Sequence, residues 1–191
     1  ETQHTGEVSS GVLSGGFVGI IEKSEEITII LKQTAIEGTV IAEGCQSSSS
    51  LGGFIGYFSS NPNSFFISQN ATIIGTLSYT CDLNGHIGVM IGFFNGNENI
   101  TFITEHFNSN TTSTVTSSSS VYVGGMIGYM YSNKNITITD AGTTTNGSIT
   151  VFSYGPVKLG STFGFIQSTD YFTFISPERT NNALLNGTGY G

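Results

Sequence analysis

Five short runs along this chain, EITIIL, SFFIS, NITFIT, NITITD and YFTFIS, alternate polar and apolar residues and are rich in β-branched or aromatic side chains. A period of two is the signature of a strand with one buried face. Each run follows a polar turn, of which Asn61-Pro62-Asn63, Asn97-Glu98-Asn99 and Asn133-Lys134-Asn135 are the clearest. Ahead of each turn stands a glycine-bracketed apolar segment: GGFVG at 15–19, GGFIG at 52–56, GVMIG at 88–92, GGMIG at 124–128 and GSTFG at 160–164. The steps between them are 37, 36, 36 and 36 residues. A third segment starts near Gly38-Thr39, Gly75-Thr76, Thr111-Thr112 and Gly147-Ser148 and runs into Ser-rich turns at 47–50 and 117–120.

A repeat of three strands without helices predicts an all-β parallel β-helix, or β-solenoid, of about five coils of 36 residues with three strands each. The chain reads as one domain over 1–191. Its units are 15–51, 52–87, 88–123, 124–159 and 160–191, with a partial N-terminal coil over 1–14, and it is expected to be a segment or subunit of a longer assembly. If one unit is one coil, equivalent residues stack at ~4.8 Å. Ile29, Phe66, Phe102, Ile138 and Phe174 then form an inward column, and Thr28, Phe65, Thr101, Thr137 and Thr173 its outward neighbour.

The glycine-bracketed strand is apolar on both faces. Phe17, Phe54, Met90 and Met126 alternate with Val18, Ile55, Ile91, Ile127 and Phe163, and Phe58, Phe94 and Met130 lie just beyond. Either the outer set (Phe17, Phe54, Met90, Met126, Phe58, Phe94, Met130) is an apolar stripe for another subunit or chain segment, or the glycines bend the strand so that both sets enter the core.

Composition narrows the classes of function. Of 191 residues, 25 are Ser, 25 Thr, 15 Asn and 26 Gly, while only 9% are charged. Helices are disfavoured by that mixture. The net charge of −8, with five basic residues, argues against nucleic acid and against an anionic membrane surface. No apolar run reaches the roughly 18 residues of a membrane-spanning helix. The three histidines, His4, His86 and His106, share no phase and no metal-ligand spacing, and no cofactor is expected. Asp82, Asp140 and Asp170 are scattered, so a catalytic carboxylate pair is not indicated and the chain reads as a non-enzyme. Glu22, Glu25 and Glu26 read as a solvated turn rather than a Ca²⁺ loop.

Two chemistries remain. Cys45 and Cys81 are 36 residues apart, so stacked coils bring them within disulfide reach and imply an oxidising compartment. Six N-x-S/T sequons, at Asn70, Asn99, Asn110, Asn135, Asn146 and Asn186, are glycan acceptors in a secreted chain. Asn99/Asn135 and Asn110/Asn146 would be crowded as rung neighbours, and Asn61/Asn97/Asn133 and Asn63/Asn99/Asn135 could form amide ladders that compete with glycans.

The GGFIG motif resembles the glycine-rich GLUG-type repeat of bacterial and protist surface proteins, from residue 15 to about 190, and is more loosely similar to adhesin and autotransporter parallel β-helices. The fifth copy departs from it at Ser161 and Thr162. That resemblance implies an extracellular or cell-surface structural or adhesive solenoid that docks to itself, to neighbouring repeats or to a partner, glycans included. An alternative is a carbohydrate- or ice-binding module using the Thr28, Thr101, Thr137, Thr173 column.

Overall fold

The computed structural model describes residues 2–10, 13–177 and 179–189, with side chains described from residue 13 to 188 except 178. It is a parallel β-solenoid of about five turns, about 36 residues each, without helix among the described residues. Each turn carries four strands rather than three. In the second turn these are Ser49–Gly52, Ile55–Ser59, Phe65–Gln69 and Thr72–Thr80. They belong to four parallel sheets, here the first, second, third and long sheet, of five, five, five and seven strands. The partial coil read over 1–14 supplies the outermost long-sheet strand, Thr2–Ser10, paired with Thr34–Ala42; residues 1, 11 and 12 lie outside the described residues.

The extra strand comes from the glycine motif, which is two strands joined by a sharp corner. Gly52 ends one and Ile55 begins the next. A Cβ on Gly52 would run into the Ile55 carbonyl, so the chain turns there only with glycine. Gly92, on the far side of the equivalent corner one coil on, lies against backbone: an added Cβ would stand 2.7 Å from Leu51 N and from Gly56 O. Both glycine columns follow from that packing.

Three columns of left-handed backbone mark two further corners of each turn, two of them at the connection between the second and third sheets and one between the third and long sheets. Lys23, Ser60, Gly96, Ser132 and Ser168 form one column of positive φ; Glu26, Asn63, Asn99, Asn135 and Tyr171 form another; Gln33, Asn70, His106 and Gly142 form the third. Asn and Gly tolerate this conformation best, which is why Asn punctuates the repeat.

Register is like over like. Gly52, Gly88, Gly124 and Gly160 pair in sequence, as do Phe66, Phe102, Ile138 and Phe174. The inward column read from the sequence is inward, with Phe66, Phe102 and Ile138 buried. Phe66 and Phe102 stack with centroids 4.2 Å apart, as do Phe58 and Phe94 at 5.4 Å. The long strands begin at Thr34, Thr72, Asn108 and Thr144, three to four residues before the glycine or threonine that marked them in the sequence.

Candidate functional site

The corner decides which side chains reach the surface. Phe54, Met90 and Met126 point into the core, Phe54 reaching the ring of Phe107 at 6.0 Å, and Phe58, Phe94 and Met130 are buried too. The apolar stripe expected from these residues is therefore corrected: the glycine turn carries both sets inside. Only Phe17, in the first coil, is half exposed.

The same corner brings the outer surfaces of the first and second sheets together. From the first sheet come His86 and Tyr122, and from the second Phe93, Tyr129 and Phe165. Their rings interleave: His86 stacks on Phe93 at 4.4 Å, Tyr122 on Tyr129 at 4.6 Å and Tyr122 on Phe165 at 5.6 Å. Lys158 stands 5.6 Å over Phe165. The Tyr129 hydroxyl donates to Gln167 Oε1, and burial, then Tyr122 and Tyr131, pushes its pKa up. His86 is buried with its Nδ1 3.3 Å from Ser50 Oγ, and burial pushes its pKa down to about 4. It is a neutral spacer in a ladder of rings whose faces cover one another. The 36-residue spacing of His86 and Tyr122 was the available signal; that the two sheets meet was not.

The asparagine columns separate into two kinds. Asn61, Asn97 and Asn133 are buried. Asn97 Oδ1 accepts from Asn61 N at 3.0 Å, and Asn97 Nδ2 donates to Phe58 O and to Asn133 Oδ1. This inner ladder satisfies corner backbone that no strand pairing reaches. The outer ladder is exposed: Asn99 Nδ2 donates to Asn63 Oδ1, and Asn135 Nδ2 to Asn99 Oδ1. The amide nitrogens of sequons Asn99 and Asn135, the atoms a glycan would need, are engaged. Asn110 and Asn146 are direct register partners on the long sheet, and Asn146 Oδ1 accepts from Asn182. Asn70 is exposed at a left-handed corner, and Asn186 is exposed on the last long strand.

Cys45 and Cys81 form a disulfide with Cα atoms 5.3 Å apart. Glu43 pairs with Thr80, 37 residues on, whereas Ser49 pairs with Gly85, 36 on. The extra residue of the first unit thus lies in the loop that carries Cys45, and the bond fastens the turn where the register slips.

Asp140 is fully buried. It accepts from Thr104, Thr143 and Ser176 and is paired with Arg179 at 3.0 Å; Arg179 also donates to Ser161 O. Sequence reading set Asp140 among scattered acids and missed this network, in which Thr104, Asp140 and Ser176 stand 36 residues apart in phase with the repeat while Thr143 and Arg179 lie 3 and 39 residues from Asp140. Asp82 and Asp170 are exposed elsewhere. Among the described residues no group of His, Cys, Asp or Glu gathers to hold a metal.

Two flat outer faces remain. On the third sheet the Thr28, Phe65, Thr101, Thr137, Thr173 column lies outward beside Ile30, Ile67, Ile103, Thr139 and Ile175. The long sheet is wider, with strands of nine and ten residues. Its outward columns include Thr39–Thr76–Thr112–Ser148 and Ile41–Ser78–Thr114–Thr150. From Thr72 onward that face carries no charged side chain; Glu37 and Glu43 are confined to the first coil. The sequence reading found one threonine column and missed this array, because the long strands are polar on both faces at 108–117 and alternation could not say which side faces outward.

No family model, curated protein or solved structure matches this chain.

Proposed function

We propose that this chain is an extracellular or cell-surface structural and adhesive solenoid without catalytic activity, a stiff segment that self-associates or docks to a partner through its lateral surface. The observation that carries the reading is the like-over-like register of the coils, in which four backbone ladders run the length of the described chain and asparagine and aromatic side-chain ladders run through the coils between its ends. Such stacking makes stability a sum of neighbouring interfaces and gives a stiff rod with repetitive faces. The disulfide fits an oxidising compartment, the sequons fit a secreted chain, and the resemblance of GGFIG to GLUG-type and adhesin-like repeats points to the same setting.

Immunolabelling of unpermeabilised native cells, with electron microscopy and sedimentation of the purified oxidised chain over a concentration series, tests the reading. Surface labelling and concentration-dependent rods or bundles are expected. Exclusively intracellular labelling overturns it. A monodisperse monomer at high concentration removes self-association and leaves partner docking as the adhesive mode.

A further inference from the structure

We infer that the outer face of the long sheet is a docking face for a neutral polysaccharide chain; this rests on the extracellular adhesive reading and names the partner. Strands of about ten residues span ~33 Å, and six levels at ~4.8 Å rise ~24 Å, giving a face of about 800 Å², of which the four levels from Thr72 onward make up about 480 Å². The whole face is about the area one partner contributes to a stable interface, roughly 800 Å², and its uncharged part suits a single extended polymer chain.

Its chemistry selects the occupant. The face is built mainly from hydroxyls and amides, each able to donate and accept, with Ile41, Ile74 and Leu184 among its apolar outward positions. They recur at ~4.8 Å across the strands and ~6.8 Å along them. A periodic polymer of hydroxyl groups meets such a grid at many equivalent positions. The lack of charge from Thr72 onward matches a neutral polymer and gives a polyanion nothing to pair with. A protein partner would be expected to find aromatic or arginine anchors at the centre, and the middle of this face offers Thr76, Thr112, Thr114 and Thr150. At its edge Phe152 is 52% exposed and Tyr154 74% exposed. Rings at such a margin suit the C–H face of a sugar ring, whereas the rings of the aromatic ladder offer mainly their edges because their faces are stacked. The third-sheet face is narrower, with an isoleucine column beside its threonines, and does not make this grid.

A glycan on Asn110, Asn146 or Asn186 would stand on the docking face. Chain 1–191 made in a bacterial periplasm, with its disulfide and without N-glycans, is therefore the form to test. Sedimentation with microcrystalline cellulose, chitin and insoluble β-1,3-glucan, with alginate and heparin resins as charged controls, reads binding directly. Retention on at least one neutral polymer is expected. Thr112→Lys with Thr116→Lys should weaken it at least ten-fold, and Phe152→Ala several-fold. Thr173→Lys, on the third sheet, should leave it unchanged, and far-ultraviolet circular dichroism should show all variants folded. Binding to none of the three neutral polymers, to the charged resins alone, or with no response to the long-sheet lysines overturns the inference. Thermal hysteresis without polymer binding also overturns it and assigns the face to ice. If the chain is on the cell surface and assembles but binds no polymer, this inference falls and the rod reading stands.

Discussion

The middle coils and the two outer coils carry the same motif and treat it differently. Ile91, Phe94, Ile100 and Phe102, in the third coil, are buried. Their counterparts Val18, Ile21, Ile27 and Ile29 in the first coil, and Phe163, Ile166, Phe172 and Phe174 in the fifth, are only partly buried. Burial of a column member depends on having a coil above and below, and among the described residues the outer coils have a full coil on one side. A solenoid therefore gives one residue type different energetic weight by position alone.

The outer coils compensate by other means. The first is fastened to the second by Cys45–Cys81. At the other end Arg179 reaches back from the fifth coil to buried Asp140 and to Ser161 O. A buried pair of this kind is weak as a source of net stability but costly to break from one side, about 3–5 kcal/mol. Its role is to hold one arrangement of the last coil.

The glycine column gives the sharpest way to break the comparison. A Cβ on Gly128 would stand 2.5 Å from both Ile87 N and Ile87 O, whereas one on Gly19 meets only Leu13 O, at 3.2 Å. Gly128→Ala should cost more than about 4 kcal/mol and abolish a cooperative unfolding transition at 37 °C. Gly19→Ala should cost about 1 kcal/mol or less. Circular dichroism in urea separates them. Next, Phe102→Ala should cost about 3–5 kcal/mol and Phe174→Ala about half of that, measured the same way. A smaller effect is expected at the disulfide: Cys45→Ser with Cys81→Ser removes a bond closing 36 residues and should lower stability by about 2–4 kcal/mol, with hydrogen exchange rising first in the first coil.

Within the aromatic ladder, pH does what position does elsewhere. The pKa of His86 is about 4 when folded and 6.5 when unfolded. The unfolded chain therefore binds the extra proton between those values. This contribution is complete above pH 6.5, and stability falls as pH drops towards 4, by about 3 kcal/mol in all. His86→Phe should flatten that part of the profile in urea titrations from pH 4 to 7. Smallest is a gain: Ser113 stands between Leu77 and Ile149 in one buried column, its hydroxyl without a hydrogen-bond partner. Ser113→Val should raise stability by about 1 kcal/mol, and the midpoint of thermal unfolding reports it.

Much of the fold was legible because repetition removes ambiguity. Five glycine motifs in phase made the coil length readable, and Ile29, Phe66, Phe102, Ile138 and Phe174 followed from alternation alone. Alternation failed where backbone geometry overrode it. At Gly52-Gly53-Phe54 the strand breaks, so one predicted strand is two and the candidate interface residues are core. In the long strand at Asn108–Ser117 both faces are polar, with Ser109, Thr111 and Ser113 inside, and no period-two reading could orient it. The disulfide partners were legible from their spacing; that they meet across a register slip was not.

By itself the sequence determined the lap of the solenoid, the stacking of like residues and the near absence of charge, since all three follow from period and composition. Tertiary structure alone decided which outward surfaces stay open. The glycine corner folds two sheets against each other and packs the ring faces of the aromatic ladder between them, while the long sheet, with no neighbour across its outer face among the described residues, keeps its threonines and asparagines in solvent. That choice depends on the direction in which the corner bends, a property of backbone packing between coils that no local pattern of residues encodes.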